Sequence, residues 1–205
     1  MTRLGILISG RGSNFLAIAD AIAKGTLRDA EIAVVLCNNA GAAGIERARE
    51  RGFPAHVIES KGRIRAEHDA DMIARLREYK VDLVCLAGYL RVVTPTFVNA
   101  FPQRILNMHP SLLPAFPGLH PQQQALDYGV RVAGTTVHFI DEELDHGVIV
   151  VQRCVPVLDG DDAASLSARI LQEEHTAYPE AIARVLSGNY EIRGRCYLPR
   201  VGVAK

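Results

Sequence analysis

Residues 4–24 read LGILISGRGSNFLAIADAIAK, an apolar run followed by a glycine-rich turn and a second, longer apolar run. Leu4 to Ile8 predicts a buried strand, residues 9–14 predict a loop, and Phe15 to Lys24 predicts a helix rich in alanine and isoleucine. A strand, a tight loop and a helix in this order form the repeating unit of α/β proteins.

The same unit recurs further along the N-terminal half. Additional strands are predicted at residues 32–37, 56–58, 81–87 and 104–107, and additional helices at residues 42–51 and 65–79. Strands that alternate with helices pair in parallel through right-handed crossovers, so we expect an α/β fold with a doubly wound, mostly parallel sheet. Ligands of such sheets bind beyond the carboxyl ends of the strands.

The C-terminal half has a different pattern. Residues 110–121 contain four of the ten prolines, which predicts a rigid loop. Residues 132–140 and 148–157 are β-rich and flank an acidic loop, so they predict a long antiparallel hairpin. Residues 163–186 predict a helix, and the tail after Asn189 has too little periodicity to assign.

The composition is that of a globular protein, with 48% hydrophobic and 22% charged residues. Lysine plus arginine and aspartate plus glutamate each number 23, so no strong net charge would attract the chain to nucleic acid or to an anionic membrane. We therefore expect small-molecule partners. A chain of 205 residues predicts a single domain.

The cysteines and the first residues bear on the cellular compartment. Cys37, Cys85 and Cys154 lie in apolar runs, where a reduced thiol packs as a small hydrophobic side chain, so we expect core thiols and a cytoplasmic protein. Residues 1–4 lead directly into the first strand, which leaves no room for a signal peptide. No apolar stretch approaches the roughly 20 residues that span a bilayer.

The glycine-rich loop is the first candidate for a binding site. A helix that begins after such a turn presents free backbone N–H groups to a phosphate, with Gly12, Ser13 and Asn14 as the donors. The alternative is an ordinary turn in which Ser13 or Asn14 caps the helix. A dinucleotide-binding oxidoreductase is a distant alternative, because Phe15 replaces the third glycine of the fingerprint and Asn38 replaces the acid that binds ribose.

Three polar residues are candidates for catalysis. Asn107 and His109 are two residues apart at a predicted strand end, so their side chains project from the same face. An imidazole can move protons near neutral pH, and a carboxamide can donate a hydrogen bond to an oxyanion. Asp145 in the hairpin loop can accept a hydrogen bond from the imidazolium. A purely structural role for His109 remains an alternative. A metal site is another alternative, although no short ligand spacing is recognisable among the candidate ligands His109, His120, His138, Asp145 and His146.

Five segments together resemble one family. ISGRGSN, LAGYLRVV, ILNMHPSLLPAFPGLH, GTTVHFIDEELDHG and QEEH occur in this order and resemble the folate-dependent formyltransferase superfamily, and within it the glycinamide ribonucleotide transformylases. Relatives that act on tRNA carry an added C-terminal domain, and 10-formyltetrahydrofolate hydrolases carry an extra N-terminal domain. The length of this chain leads us to expect neither.

The resemblance implies a Rossmann-like fold and transfer of the formyl group of 10-formyltetrahydrofolate, the co-substrate, to the amine of 5′-phosphoribosylglycinamide in purine synthesis. No metal is implied. It divides the single domain, over residues 1–205, into a phosphate-binding half (about 1–100), a folate-binding and catalytic half (about 101–188) and a tail (189–205). A hydrolase, a transferase acting on another amine and a non-catalytic folate-binding module remain alternatives, and the chain is expected to be a monomer or a homodimer.

The resemblance also implies roles for individual residues. Asn107, His109 and Asp145 match catalytic positions, Gly12, Ser13 and Asn14 match positions that hold the substrate phosphate, and Glu174 matches one that contacts its ribose. The folate side matches Arg65, Leu90, Arg91, Val92, Val93, Asn107, Asp141, Glu142, Glu143, Leu144 and Asp145. Arg63 is an alternative to Arg65 as the partner of the glutamate tail.

Overall fold

Nine strands form one sheet within residues 1–200, the part of the chain that the computed structural model describes. The strands are β1 (Thr2–Ile8), β2 (Ala30–Cys37), β3 (Ala55–Val57), β4 (Leu83–Leu86), β5 (Ile105–His109), β6 (Val132–Phe139), β7 (Ile149–Pro156), β8 (Tyr190–Arg193) and β9 (Cys196–Pro199). The helices are α1 (Ser13–Ala23), α2 (Ala43–Glu50), α3 (Arg65–Glu78), α4 (Pro95–Ala100), α5 (Pro121–Tyr128) and α6 (Ala163–Leu186).

The strand order is β3-β2-β1-β4-β5-β6-β7-β9-β8. Strands β1 to β5 pair in parallel, whereas β6 is antiparallel to both β5 and β7. The predicted α/β fold with a doubly wound, mostly parallel sheet and an antiparallel hairpin is therefore confirmed. The order reverses between β1 and β4, and in such sheets a crevice for ligands opens at this point, beyond the carboxyl ends of the strands.

Helices cover the sheet on both faces because successive side chains of the buried strands point in opposite directions. Ile6 of β1 packs with Phe15 of α1 in a core that also includes Tyr178 of α6. Leu7 points to the opposite face and shares a second core with Met72 of α3. Both faces of β1 are buried from residue 4 to residue 8, which explains the nearly continuous apolar sequence there.

Two short helices were not predicted from the sequence. Helix α4 has six residues, which is too short for a helical period to stand out, and α5 begins with a proline and three glutamines, so few apolar residues mark it. The predicted proline-rich loop ends where Pro121 begins α5, because a proline is tolerated in the first turn of a helix. The unassigned tail contains the hairpin of β8 and β9, in which the rings of Tyr190 and Tyr197 stack 4.6 Å apart.

The cysteine prediction is partly wrong. Cys37 and Cys85 are buried, and burial raises the pKa of both thiols. Cys154 is exposed, because alternation along β7 turns its neighbour Val155 inward instead; Cys196 is exposed as well. None of the helices in residues 1–200 is long and apolar enough to cross a membrane.

Candidate active site

Asn107 and His109 lie at the carboxyl end of β5. His109 is the final residue of the strand and not, as predicted, a residue beyond it. The antiparallel register places Asn107 opposite His138 and His109 opposite Thr136. The hydroxyl of Thr135 donates to the backbone oxygen of His109 at 3.0 Å, which anchors the strand end.

The His109 ring is buried, and each of its nitrogens faces an acceptor. Nε2 lies 2.9 Å from the backbone oxygen of Phe116, and Nδ1 lies 3.4 Å from Oδ2 of Asp145. A carbonyl oxygen can only accept, so Nε2 carries a hydrogen.

Asp145 is held in place by two loops. It belongs to the hairpin loop between β6 and β7 and has a positive φ of 50°, which is uncommon for a residue other than glycine. Its Oδ2 also accepts a hydrogen bond of 2.8 Å from the backbone N–H of Gly118 in the proline-rich loop. At the base of the hairpin loop, a Cβ on Gly147 would lie 1.8 Å from the backbone oxygen of Phe139, so only glycine fits there.

His138 is a member of this cluster that the sequence interpretation considered only as a metal ligand. Its ring is fully buried, and Nδ1 donates to the backbone oxygen of Phe139 at 2.8 Å. Burial lowers the pKa of His138, so the ring is neutral and Nε2 can accept a hydrogen bond from the Asn107 amide at 3.2 Å. The contact depends on the pairing of β5 with β6, for which the sequence carries no local signal.

The glycine-rich loop lies at the carboxyl end of β1. Gly12 precedes α1 in a left-handed conformation (φ 72°), so neither Ser13 nor Asn14 is the capping residue. The N–H of Leu16 makes the first helical bond, to Gly12, which leaves the N–H groups before it without partners inside the helix. This is the arrangement that binds phosphate.

Asn14 and Glu174 meet beside this loop although 160 positions separate them. The Asn14 amide donates to the Glu174 carboxylate at 2.7 Å, and both side chains are buried. Burial raises the pKa of Glu174, while the bond from Asn14 lowers it by a smaller amount. The Asn14 amide is therefore engaged by Glu174, and the donors open to an anion are the backbone N–H groups.

Two of the positions matched to the folate side expose apolar surface. Leu90 is 77% exposed and Leu144 is 58% exposed. Arg63 forms an ion pair with Asp71 at 2.8 Å, whereas Arg65, at the start of α3, is exposed. Of the two arginines, Arg65 is the one whose charge is available to an anionic ligand.

Three further positions of the acidic loop are exposed or partly exposed. Asp141 accepts from His146 Nδ1 at 2.8 Å and from the N–H of Glu143 at 3.0 Å, so it shapes the loop. Glu142 lies 3.5 Å from the Asn99 amide. In residues 1–200 the structure contains no group of three or more histidine, cysteine, aspartate or glutamate side chains arranged to hold a metal ion.

The fold and this cluster define a class of protein: a doubly wound α/β protein with a carboxamide, an imidazole and a carboxylate at the crevice, next to a loop suited to phosphate. Residues 2–182 match the model of the formyl transferase family. The chain therefore belongs to the formyl transferase family.

Individual relatives narrow the comparison. The chain is 42% identical over 192 residues to the phosphoribosylglycinamide formyltransferase of Escherichia coli, covering 91% of this chain and 88% of that protein. It is 46% identical over 190 residues to the trifunctional purine biosynthetic protein adenosine-3 of Drosophila pseudoobscura, but these cover 91% of this chain and only 14% of that protein. The crystal structure of glycinamide ribonucleotide transformylase 1 from Symbiobacterium toebii is 50% identical and superposes with a TM-score of 0.94 over 97% of this chain and 94% of that one.

Proposed function

We propose that this protein transfers the formyl group of 10-formyltetrahydrofolate to the amine of 5′-phosphoribosylglycinamide, giving the N-formyl product and tetrahydrofolate in purine (IMP) biosynthesis. The observation that carries the proposal is that Asp145 lies 3.4 Å from His109 and 3.9 Å from His138, which contacts Asn107, and that this cluster and the glycine-rich loop both follow the carboxyl ends of parallel strands. We also propose a cytoplasmic location, for which four free cysteines are suitable.

In the proposed reaction the amine attacks the formyl carbon directly. A C–N bond forms to the amine, and the carbonyl oxygen of the formyl group acquires negative charge in a tetrahedral intermediate. Asn107 can donate one amide hydrogen to this oxygen while the neutral His138 accepts the other, so the carboxamide is already oriented. Protonated His109 is the second donor.

Collapse of the intermediate breaks the bond to N10 of the folate, which must gain a proton, while the attacking nitrogen loses one. His109 is the group in the cluster that can both give and take a proton near neutral pH. Asp145, 3.4 Å from Nδ1, holds the ring and stabilises its positive charge. No covalent intermediate with the protein is required.

We assign the remaining positions to binding. The N–H groups that follow Gly12 would hold the substrate phosphate, and Glu174 its ribose hydroxyls. Arg65 would pair with the glutamate tail of the folate, and the exposed Leu90 and Leu144 would contact its ring.

The test is a spectrophotometric assay of 10-formyltetrahydrofolate consumption with and without 5′-phosphoribosylglycinamide, and with the dephosphorylated nucleoside. We expect consumption only with an amine, far faster with the phosphorylated one, and a decrease of about 10²-fold or more in the His109→Ala variant. Consumption without any amine would instead identify a hydrolase. Equal rates with the two amines would rule out the assigned role of the glycine-rich loop.

A further inference from the structure

A second histidine and aspartate lie together outside the catalytic cluster, at the start of α3. The side chains of His68 and Asp69 are 0% and 1% exposed, and His68 Nδ1 lies 3.6 Å from Asp69 Oδ1. Within the described residues, neither of these two atoms has a hydrogen-bond partner. Buried polar atoms without partners are rare, and apolar side chains at such positions are often as stable or more stable, so this pair calls for a functional explanation.

The pair connects α3 to two separate segments. His68 Nε2 donates to the backbone oxygen of Ile58 at 2.8 Å, and Asp69 Oδ2 accepts from the backbone N–H of Thr94 at 2.7 Å. Ile58 begins the segment 58–64, which leads to Arg65, and Thr94 ends the loop 88–94, which contains Leu90 to Val93. These two segments form two walls of the proposed folate site, since one leads to Arg65 and the other contains Leu90, and both attach to one turn of α3.

The two segments are also joined directly. The guanidinium of Arg91 donates to the backbone oxygens of Ser60 at 3.2 Å and Arg63 at 3.5 Å. Burial raises the pKa of Tyr89 in loop 88–94, and the negative charge of Asp69 raises it further by a smaller amount. The Tyr89 hydroxyl therefore stays protonated. Arg91, His68 and Asp69 thus hold loop 88–94 against segment 58–64 at three points.

The two outward hydrogen bonds fix the orientation of both side chains. Because Ile58 offers a carbonyl, which can only accept, His68 Nε2 must be the donor. Asp69 Oδ2 is the acceptor for the Thr94 N–H. His68 Nδ1 and Asp69 Oδ1 are the atoms that remain facing each other inside the protein.

We infer that His68 and Asp69 are positioning residues for the co-substrate, which hold segment 58–64 and loop 88–94 at the separation that 10-formyltetrahydrofolate requires. The inference rests on the proposed function, because it assumes that these two walls bind the folate. A pocket whose walls are fixed in advance binds more tightly, since its competent form is more populated.

The decisive variant is the double substitution His68→Phe with Asp69→Leu, which removes both outward bonds without leaving a buried charge. We expect the KM for 10-formyltetrahydrofolate to rise about 5- to 30-fold, the effect of losing two hydrogen bonds of about 1 kcal/mol each. Because removal of the buried polar pair offsets the loss of the two hydrogen bonds, the melting temperature should stay within a few degrees of the wild type, whereas a merely structural role predicts that melting temperature and KM change together. Glu67→Ala, exposed on the same turn, is the matched control and should leave both unchanged.

A second variant keeps the test valid if the double variant does not fold. In Asp69→Asn the amide oxygen can still accept from Thr94 and the NH₂ group can donate to His68 Nδ1, so we expect a KM within about threefold of the wild type. A larger change would overturn the account based on hydrogen bonds.

Direct binding of tetrahydrofolate, measured by calorimetry, separates this inference from the proposed function. If the wild type binds tetrahydrofolate and transfers formyl groups but the folded double variant binds equally well, the positioning role is wrong. An equal rise in the KM for the amine substrate would also overturn it, because the effect would then not be confined to the folate side. A wild type that transfers no formyl group contradicts the proposed function itself.

Discussion

Replacing Asp145 with asparagine removes one charge from the catalytic cluster and keeps the size of the side chain. The asparagine oxygen can still accept from the Gly118 N–H, which is 2.8 Å from the carboxylate, so the two loops should stay joined. What is lost is the attraction between the carboxylate and a protonated His109. The substitution therefore tests the electrostatic role of Asp145 separately from its structural one.

The distance sets the magnitude of this loss. At 3.4 Å and an effective dielectric constant of about 20, a carboxylate and an imidazolium attract each other by about 5 kcal/mol. The cost of desolvating the buried carboxylate offsets part of this attraction. We therefore expect a loss of about 3–4 kcal/mol of transition-state stabilisation, which lowers kcat by about 10²- to 10³-fold.

The assay is single-turnover formyl transfer at saturating concentrations of both substrates. Asp127→Asn makes the same change of charge at an exposed position of α5, where the side chain accepts a hydrogen bond from Gln123, and should leave kcat unchanged. The melting temperature of Asp145→Asn should stay within a few degrees of the wild type. A kcat within about threefold of the wild type would remove Asp145 from the mechanism.

Three further predictions concern stability and geometry. Glu174→Gln should raise the melting temperature at pH 7.5 but not at pH 4. Burial raises the pKa of Glu174 in the folded protein, so the wild type loses stability as the pH rises above the pKa of this carboxyl in the unfolded chain. An equal difference in melting temperature at both pH values would contradict this. Tyr178→Phe removes a buried hydroxyl whose hydrogen is shared between backbone carbonyls on β4 and β5. The free energy of unfolding should therefore fall by about 1–3 kcal/mol, which thermal denaturation would show as a decrease in melting temperature of about 2–4 °C for each kcal/mol. In Gly147→Ala the added Cβ would lie 1.8 Å from the backbone oxygen of Phe139, so the hairpin loop must shift by about 1 Å or more. This shift should lower the kcat of the folded variant by about 10²-fold. Normal turnover would show that the loop tolerates displacement.

The elements of the fold that could be predicted are those marked by a pattern of neighbouring residues in the sequence. The apolar run of β1 and the glycine turn after it mark a strand, loop and helix without further information, and residues 163–186 mark α6 to the residue. The short helix α4 was missed because six residues, capped by Thr94 and begun by Pro95, contain less than two turns of pattern.

The site was predictable to the extent that it depends on strand alternation. Asn107 and His109 share a face because they are two residues apart on β5, and this can be read from the sequence. The contact of His138 with Asn107 depends on the register between β5 and β6, which one sequence does not specify. The bond between Asn14 and Glu174 depends on how α6 packs over α1, and no local pattern encodes it.

The proline-rich loop has a part in the proposed chemistry that follows from the surroundings of the His109 ring. Nε2 lies 2.9 Å from the backbone oxygen of Phe116, and Nδ1 lies 3.4 Å from Asp145. Because the mechanism needs Asp145 to remain beside Nδ1, the proton delivered to the folate nitrogen must come from Nε2. The substrate, or a water molecule bound with it, must then take the place of the Phe116 oxygen. The hydrogen bond from Gly118 joins the same loop to Asp145. The loop must therefore change its conformation between residues 116 and 118 if Phe116 moves away while Asp145 stays in place.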